Sequence, residues 1–166
     1  MASRPPSTPW PLFVYGSLQR GQPAHRRFCK GATGITEAGL WGRLYRLAEG
    51  YPALALPAGS ILAQGSADPL ADAALAKVTA IFDPSPARPA GDWQWLRGQL
   101  LILPDPARSL PRLDRYEEFC PGRGGPYRRV LTAVHTSRGP HAAWTYCTPH
   151  PPAGGVRLRS GRWHRR

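Results

Sequence analysis

The sequence predicts an α+β protein built on a small, mixed, mostly antiparallel β-barrel with a few short helices. Short apolar or alternating runs bounded by glycine and proline recur along most of the chain, so strands predominate. Helical signals occur at only two or three irregular places, without the repeated strand–helix–strand rhythm of a doubly wound sheet. A length of 166 residues suits one domain with a real core, and 42% hydrophobic content is ordinary for a globular chain.

The first strand is the apolar run Leu12 to Tyr15, short, β-branched and aromatic. It stops at Gly16-Ser17, where glycine permits positive φ and close approach of a ligand to the main chain. Successive N–H groups in such a turn can form an anion-binding concavity, although an ordinary glycine turn would look the same. Pro23 suits the first turn of a helix running to about Lys30, with Gly31 and Gly34 ending it. The stretch from Leu40 to Leu47 alternates and reads as a strand; Glu49-Gly50 turns the chain, and Tyr51 to Pro57 returns. Pro52 must then lie near an edge or a strand start.

Asp68 as N-cap and Pro69 as first helical residue open the clearest helix. Ala71, Ala74, Leu75, Val78, Ile81 and Phe82 fall on one apolar stripe, and Asp83-Pro84 stops it. The chain from there to Asp92 reads as a mobile loop. Trp93 to Leu103 is a long strand with a bulge expected at Gly98. Ser109 can cap a helix reaching about Phe119. Pro121–Pro126 is a glycine-rich loop, and Tyr127–His135 and Ala142–Cys147 form a hairpin around Ser137-Arg138-Gly139-Pro140. The tail from Pro149 has no regular pattern. The expected organisation is a disordered N-terminus over residues 1–9 and one domain over 10–164, with a helix and loop inserted at about 60–92.

The net charge of +12 comes from 22 basic against 10 acidic residues and invites a nucleic-acid reading. Its distribution weakens that reading. Five arginines lie in the last ten residues and the others are scattered, while lysine occurs only at positions 30 and 77. Attraction for anionic small molecules is a milder consequence of the same charge. No apolar run approaches the ~18 residues of a spanning helix, so no membrane partner is expected. Residues 1–9 lack a secretory h-region, and the odd cysteine count (Cys29, Cys120, Cys147) suggests free thiols in a reducing, cytoplasmic compartment. Neither cysteines nor histidines have metal-ligand spacing, so no metal is expected.

Among the ten acidic residues, Glu117 stands out. Leu110, Leu113 and Glu117 lie at i, i+3 and i+7, so Glu117 continues the apolar stripe of its own helix, whereas Glu118 turns about 100° toward solvent. A carboxyl on a buried stripe loses hydration, its pKa rises, and a base poised near neutrality results. Pairing with Arg128 or Arg129 would instead make Glu117 structural. Other chemistries are weaker. Ser17 lacks a G-x-S-x-G elbow, Gly16 and Gly21 lack the Gly-Lys end of a P-loop, and nothing fixes Cys120 near His135.

Phe13-Val14-Tyr15-Gly16-Ser17-Leu18-Gln19-Arg20-Gly21 resembles the signature of the gamma-glutamylcyclotransferase-like proteins. Further stretches agree in order: Gly42-Arg43-Leu44-Tyr45, Tyr51-Pro52-Ala53-Leu54, Leu113-Asp114-Arg115-Tyr116-Glu117, Tyr127-Arg128-Arg129 and Ala143-Trp144-Thr145-Tyr146. Ser160-Gly161-Arg162-Trp163 is similar to the closing segment of bacterial members. The resemblance implies a mixed barrel with a small cavity and a small gamma-glutamyl substrate. It implies Tyr15, Gly16, Ser17, Leu18, Tyr127 and Tyr146 as substrate-binding residues and Glu117 as catalytic acid/base. The reaction it implies releases 5-oxoproline, as a transferase or lyase, with no cofactor. The alternatives are a non-catalytic small-ligand-binding protein on the same fold and, less favoured, an arginine-rich nucleic-acid-binding protein. The chain departs from the family pattern at Ser60–Asp92 and at the glycine-rich loop after Glu118.

Overall fold

A computed structural model describes residues 8–82, 87–150 and 152–164. The first strand, β1 (Trp10–Val14), runs through the middle of the sheet. It pairs antiparallel with β5 (Gln94–Leu103) from Trp10↔Leu103 to Val14↔Gln99, and parallel with β7 (Gly139–Cys147) at Leu12↔Trp144. The 13-residue β2 (Gly34–Arg46) lies antiparallel along the other side of β5, from Gly34↔Ile102 to Gly42↔Gln94. A hairpin joins β6 (Arg128–Thr136) to β7, and Gly39↔His135 links β6 back to β2. The ring β2–β5–β1–β7–β6 is a five-stranded barrel, antiparallel except at β1–β7. Three short strands extend it: β3 (Pro52–Ala55) on β2, β4 (Ile61–Gln64) on β6, and β8 (Val156–Arg157) on β2.

Both faces of β1 are covered, which explains its unbroken apolar sequence. Phe13 and Tyr15 point to one buried cluster with Leu40, Leu44, Leu96 and Val134. Trp10, Leu12 and Val14 point to the other, beneath helices α2 (Pro69–Val78) and α3 (Pro106–Tyr116), with Leu110, Leu113 and Trp144. The third helix, α1 (Pro23–Phe28), follows the first turn.

Several local expectations give way to tertiary contacts. The Gly98 pairing with Ala38 keeps its register, so there is no bulge there. Glycine is needed because a Cβ would overlap the Val14 carbonyl oxygen. Ser109 does not cap α3. Pro106 starts the helix, and the Ser109 hydroxyl lies within hydrogen-bond distance of the Pro104 and Asp105 carbonyls while accepting from the Trp10 indole at 2.7 Å. β4 and β8, both missed as strands, are two to four residues long and form through long-range pairing rather than local pattern. The expected disorder of residues 1–9 falls, up to residue 7, outside the described residues, as do the helix stop at Asp83-Pro84 and part of the following loop.

The largest correction concerns α2. Asp68 does cap it, its side chain accepting from Leu70 and Ala71 N–H. The helix ends at Val78, and most of the apolar stripe faces outward: Leu75 is 38%, Val78 74% and Phe82 91% exposed, while Ile81, beyond the helix, packs against the core. The buried face is Asp72, Ala73 and Ala76. Asp72 turns inward because it binds the guanidinium of Arg129, itself 1% exposed, at 2.8 Å. Ser66 closes the arrangement through its N–H and hydroxyl on Asp72 at 2.9 and 2.8 Å. Removing one partner from a buried ion pair costs about 3–5 kcal/mol, so Asp72 is held on the inward face beside Asp114, the second carboxylate on the same guanidinium. Accordingly, Val78→Lys should shift the urea unfolding free energy by less than about 0.5 kcal/mol. A loss above about 1.5 kcal/mol would place the stripe back in the core.

Candidate active site

A cavity of about 450 Å³ opens where the end of β1, the β2–β3 loop, the end of α3 and the start of β6 converge. Tyr15, Gly16, Ser17 and Leu18 form one wall, Glu117 and Tyr127 another, and Tyr146 of β7 a third. All seven residues singled out from the sequence therefore line one space, although Glu117 and the first turn lie about a hundred positions apart.

The turn after β1 is held from within. Gln19 N–H donates to the Gly16 carbonyl at 3.1 Å, and the Leu18 carbonyl lies 2.9 Å from Nδ1 of buried His25. Gly16 does not use the positive φ that glycine permits; that conformation falls to Gly21, at 91°. Glycine is required at 16 because a Cβ would overlap Cγ of Pro52. Among the described residues, no protein acceptor takes the main-chain N–H groups of Gly16, Ser17 and Leu18. Gly16→Ala should therefore push the turn away from β3. We expect a loss of roughly 1–3 kcal/mol in stability, the usual range for overpacking, together with weakened ligand binding. Thermal unfolding with and without ligand checks both.

Glu117 sits just past α3, its N–H bonded to the Leu113 carbonyl at 2.9 Å. The helix closes by a Schellman pattern, Phe119 N–H to Asp114 O at 2.8 Å and Glu118 N–H to Arg115 O at 3.2 Å. Glu118 takes the left-handed position at φ 55°, which usually belongs to glycine. Leu110 and Leu113, both fully buried, anchor the stripe that carries Glu117 inward. Glu117 keeps some exposed surface, but protein crowds its carboxyl. That burial, and secondarily the charge of Asp114, raise its pKa from 4.5 to about 7. Among the described residues, no hydrogen bond or ion pair engages its carboxylate.

Arg129, one of the two arginines the sequence offers as its partner, is occupied elsewhere. Arg129 donates to Asp114 at 2.9 and 3.2 Å, to Asp72 at 2.8 Å and to the Ser66 carbonyl at 3.0 Å. Burial works against its charge, but Asp114 and Asp72 hold it firmly protonated. Asp114 also accepts the Tyr146 hydroxyl at 2.6 Å, so one carboxylate ties α3 to both β6 and β7. Tyr15 donates to the Tyr146 carbonyl at 2.6 Å and Tyr127 to the Pro52 carbonyl at 2.8 Å. Burial chiefly raises the pKa of each of the three phenols, keeping them protonated. The thiols are unpaired; burial chiefly pushes Cys29 up to about 12 and Cys147 up to about 11.

Sequence reasoning missed Glu49, Tyr51 and Tyr116 as lining residues, and Asp72 as a partner of Arg129. Tyr51 and Tyr116 belong to the quoted motifs, and Glu49 flanks the recognisable Gly50 turn two positions before Tyr51, so motif membership or proximity was the available signal. Asp72 carried none. Among the described residues no group of three or more His, Cys, Asp or Glu side chains is placed to hold a metal ion, and no helix is long and apolar enough to cross a membrane.

Comparison with known proteins agrees with this architecture. The chain is similar to YkqA of Bacillus subtilis (TM-score 0.56, 17% identity), with 93% of this chain aligned but only 39% of YkqA. It is similar to a solution structure from Arabidopsis thaliana (TM-score 0.53, 19% identity, 88% and 74% of the two chains). A crystal structure of an AIG2-like protein from Mus musculus aligns at TM-score 0.50 and 19% identity over 87% and 81%. At such identities the likeness is one of fold, and the chain spans about two-fifths of YkqA. No curated protein matches. The sequence profile described as "Gamma-glutamyl cyclotransferase, AIG2-like" matches residues 12–85 and 64–165. The protein thus belongs to the AIG2-like gamma-glutamyl cyclotransferase family.

Proposed function

We propose that the protein is a gamma-glutamyl cyclotransferase releasing 5-oxoproline from a gamma-glutamyl amide, and that residues 10–164 form its single catalytic domain. The observation that carries this reading is the unpartnered, desolvated carboxyl of Glu117 in the same cavity as the Gly16–Leu18 turn. Glu117 takes a proton from the substrate's alpha-ammonium. The freed nitrogen attacks the gamma-carbonyl carbon, the lactam C–N bond forms, and the amide C–N bond to the leaving amine breaks. The departing nitrogen receives that proton back from Glu117 as its bond breaks, and the ring nitrogen gives up its second surplus proton through the same carboxylate to the released amine or to water, leaving a neutral lactam. Because nucleophile and electrophile belong to one molecule, holding it folded removes much of the barrier. A pKa of about 7 suits a group that must accept and return a proton near neutrality.

The turn N–H groups are the donors for the substrate's alpha-carboxylate or a developing oxyanion. Tyr15, Tyr127 and Tyr146 shape the remaining walls. The unpaired thiols suit a reducing, cytoplasmic setting. Incubating the protein with gamma-glutamyl amides and quantifying 5-oxoproline tests the reading; absence of lactam from neutral, cationic and anionic amides alike overturns it.

A further inference from the structure

The cavity is acidic and rich in acceptors, in a chain of net charge +12. Among the described residues its lining includes Glu49, Glu117 and Glu118, and no arginine, lysine or histidine. Glu49 belongs to the β2–β3 loop, whose Gly50 turns at φ 88°; Glu118 occupies the strained position after α3. Both are exposed at the cavity mouth. They approach from different elements, yet both exert their charge on Tyr127, as Glu117 does.

The tyrosines provide an independent observation. The hydroxyl protons of Tyr15, Tyr127 and Tyr146 are committed to protein acceptors, and Tyr116 shares a hydrogen bond with Ser17 at 3.0 Å. What these groups still offer a ligand is lone pairs and ring faces, which suit an ammonium. Tyr51, 60% exposed beside Glu49, adds another aromatic face. A ligand carboxylate finds donors chiefly at the Gly16–Leu18 turn, which the proposed reaction already uses.

We infer that Glu49 and Glu118 are specificity-determining residues that select the leaving group by charge. Conjugates whose leaving amine bears a second, protonated amine are favoured over those whose leaving group bears a carboxylate. This inference rests on the proposed cyclotransferase activity. The bonds made and broken are those already given; only the charge carried beyond the departing nitrogen differs.

The test compares gamma-glutamyl conjugates of 1,4-diaminobutane, n-butylamine and 4-aminobutyrate, matched in length and differing in terminal charge. The kcat/KM for 5-oxoproline release is measured for the wild type and for the E49Q/E118Q variant, each ratio referred to the butylamine conjugate. The wild type should prefer the cationic over the anionic conjugate by roughly tenfold at low ionic strength, with a smaller ratio in added salt. In the double variant the ratio should fall to about twofold. Turnover of the butylamine conjugate with no charge order, or with an order that survives in E49Q/E118Q, overturns this inference alone. No turnover of any conjugate overturns the proposed activity and this inference with it.

Discussion

Glu117→Gln should abolish measurable 5-oxoproline release, lowering kcat by at least about 10³-fold, within the range for removing a general acid/base. The amide keeps the shape of the side chain but cannot carry the proton. Wild-type kcat/KM should rise with pH through an apparent pKa of about 7, because the free enzyme must hold Glu117 ionised to accept a proton. The variant should also be the more stable protein. A carboxyl whose pKa is raised on folding is bound by a proton more tightly in the native state. Its ionisation therefore destabilises the fold progressively between about pH 4.5 and 7, and fully above that. The Gln variant escapes this loss and should gain roughly 3 kcal/mol well above pH 7 and little below about pH 4.5. Unchanged activity removes Glu117 from the mechanism. Unchanged stability at pH 8 contradicts the desolvated setting of its carboxyl.

Arg129→Met should be the most destabilising single change among those discussed, by about 3–5 kcal/mol. The substitution keeps volume but leaves Asp72 and Asp114 without the cation that binds them at 2.8 and 2.9 Å. A loss of that size approaches the total stability of many domains, so part of the variant should be unfolded at 37 °C. Urea unfolding of both proteins at pH 7 measures this. A deficit below about 1 kcal/mol would mean that the two carboxylates do not need Arg129.

The two cases explain what the sequence discloses. Glu117 reaches the cavity by local geometry: Leu110, Leu113 and Glu117 share a helix face, and a 3.6-residue period needs no knowledge of the rest of the fold. The first strand and its turn are legible for the same reason. The orientation of α2 is not. Its apolar stripe is real, but Asp72 answers to an arginine 57 positions away, and that buried ion pair turns the other face of the helix inward. Gly16 and Gly98 mark backbone constraints, yet their cause is a neighbouring chain segment, Pro52 in one case and Val14 in the other, and not a turn or bulge of their own. A cavity residue outside the motifs, such as Glu49, becomes visible only when hairpin and helix end are brought together.

The central place of β1 also bears on biosynthesis. β1 leaves the ribosome well before its neighbours β5 and β7, which end at residues 103 and 147. Until both have emerged, Trp10, Leu12 and Phe13 lack the partners that bury them, and the nascent chain presents an apolar ribbon with two open edges. Closure must wait for β7, so premature termination anywhere before that strand yields a sticky fragment and not a smaller folded protein.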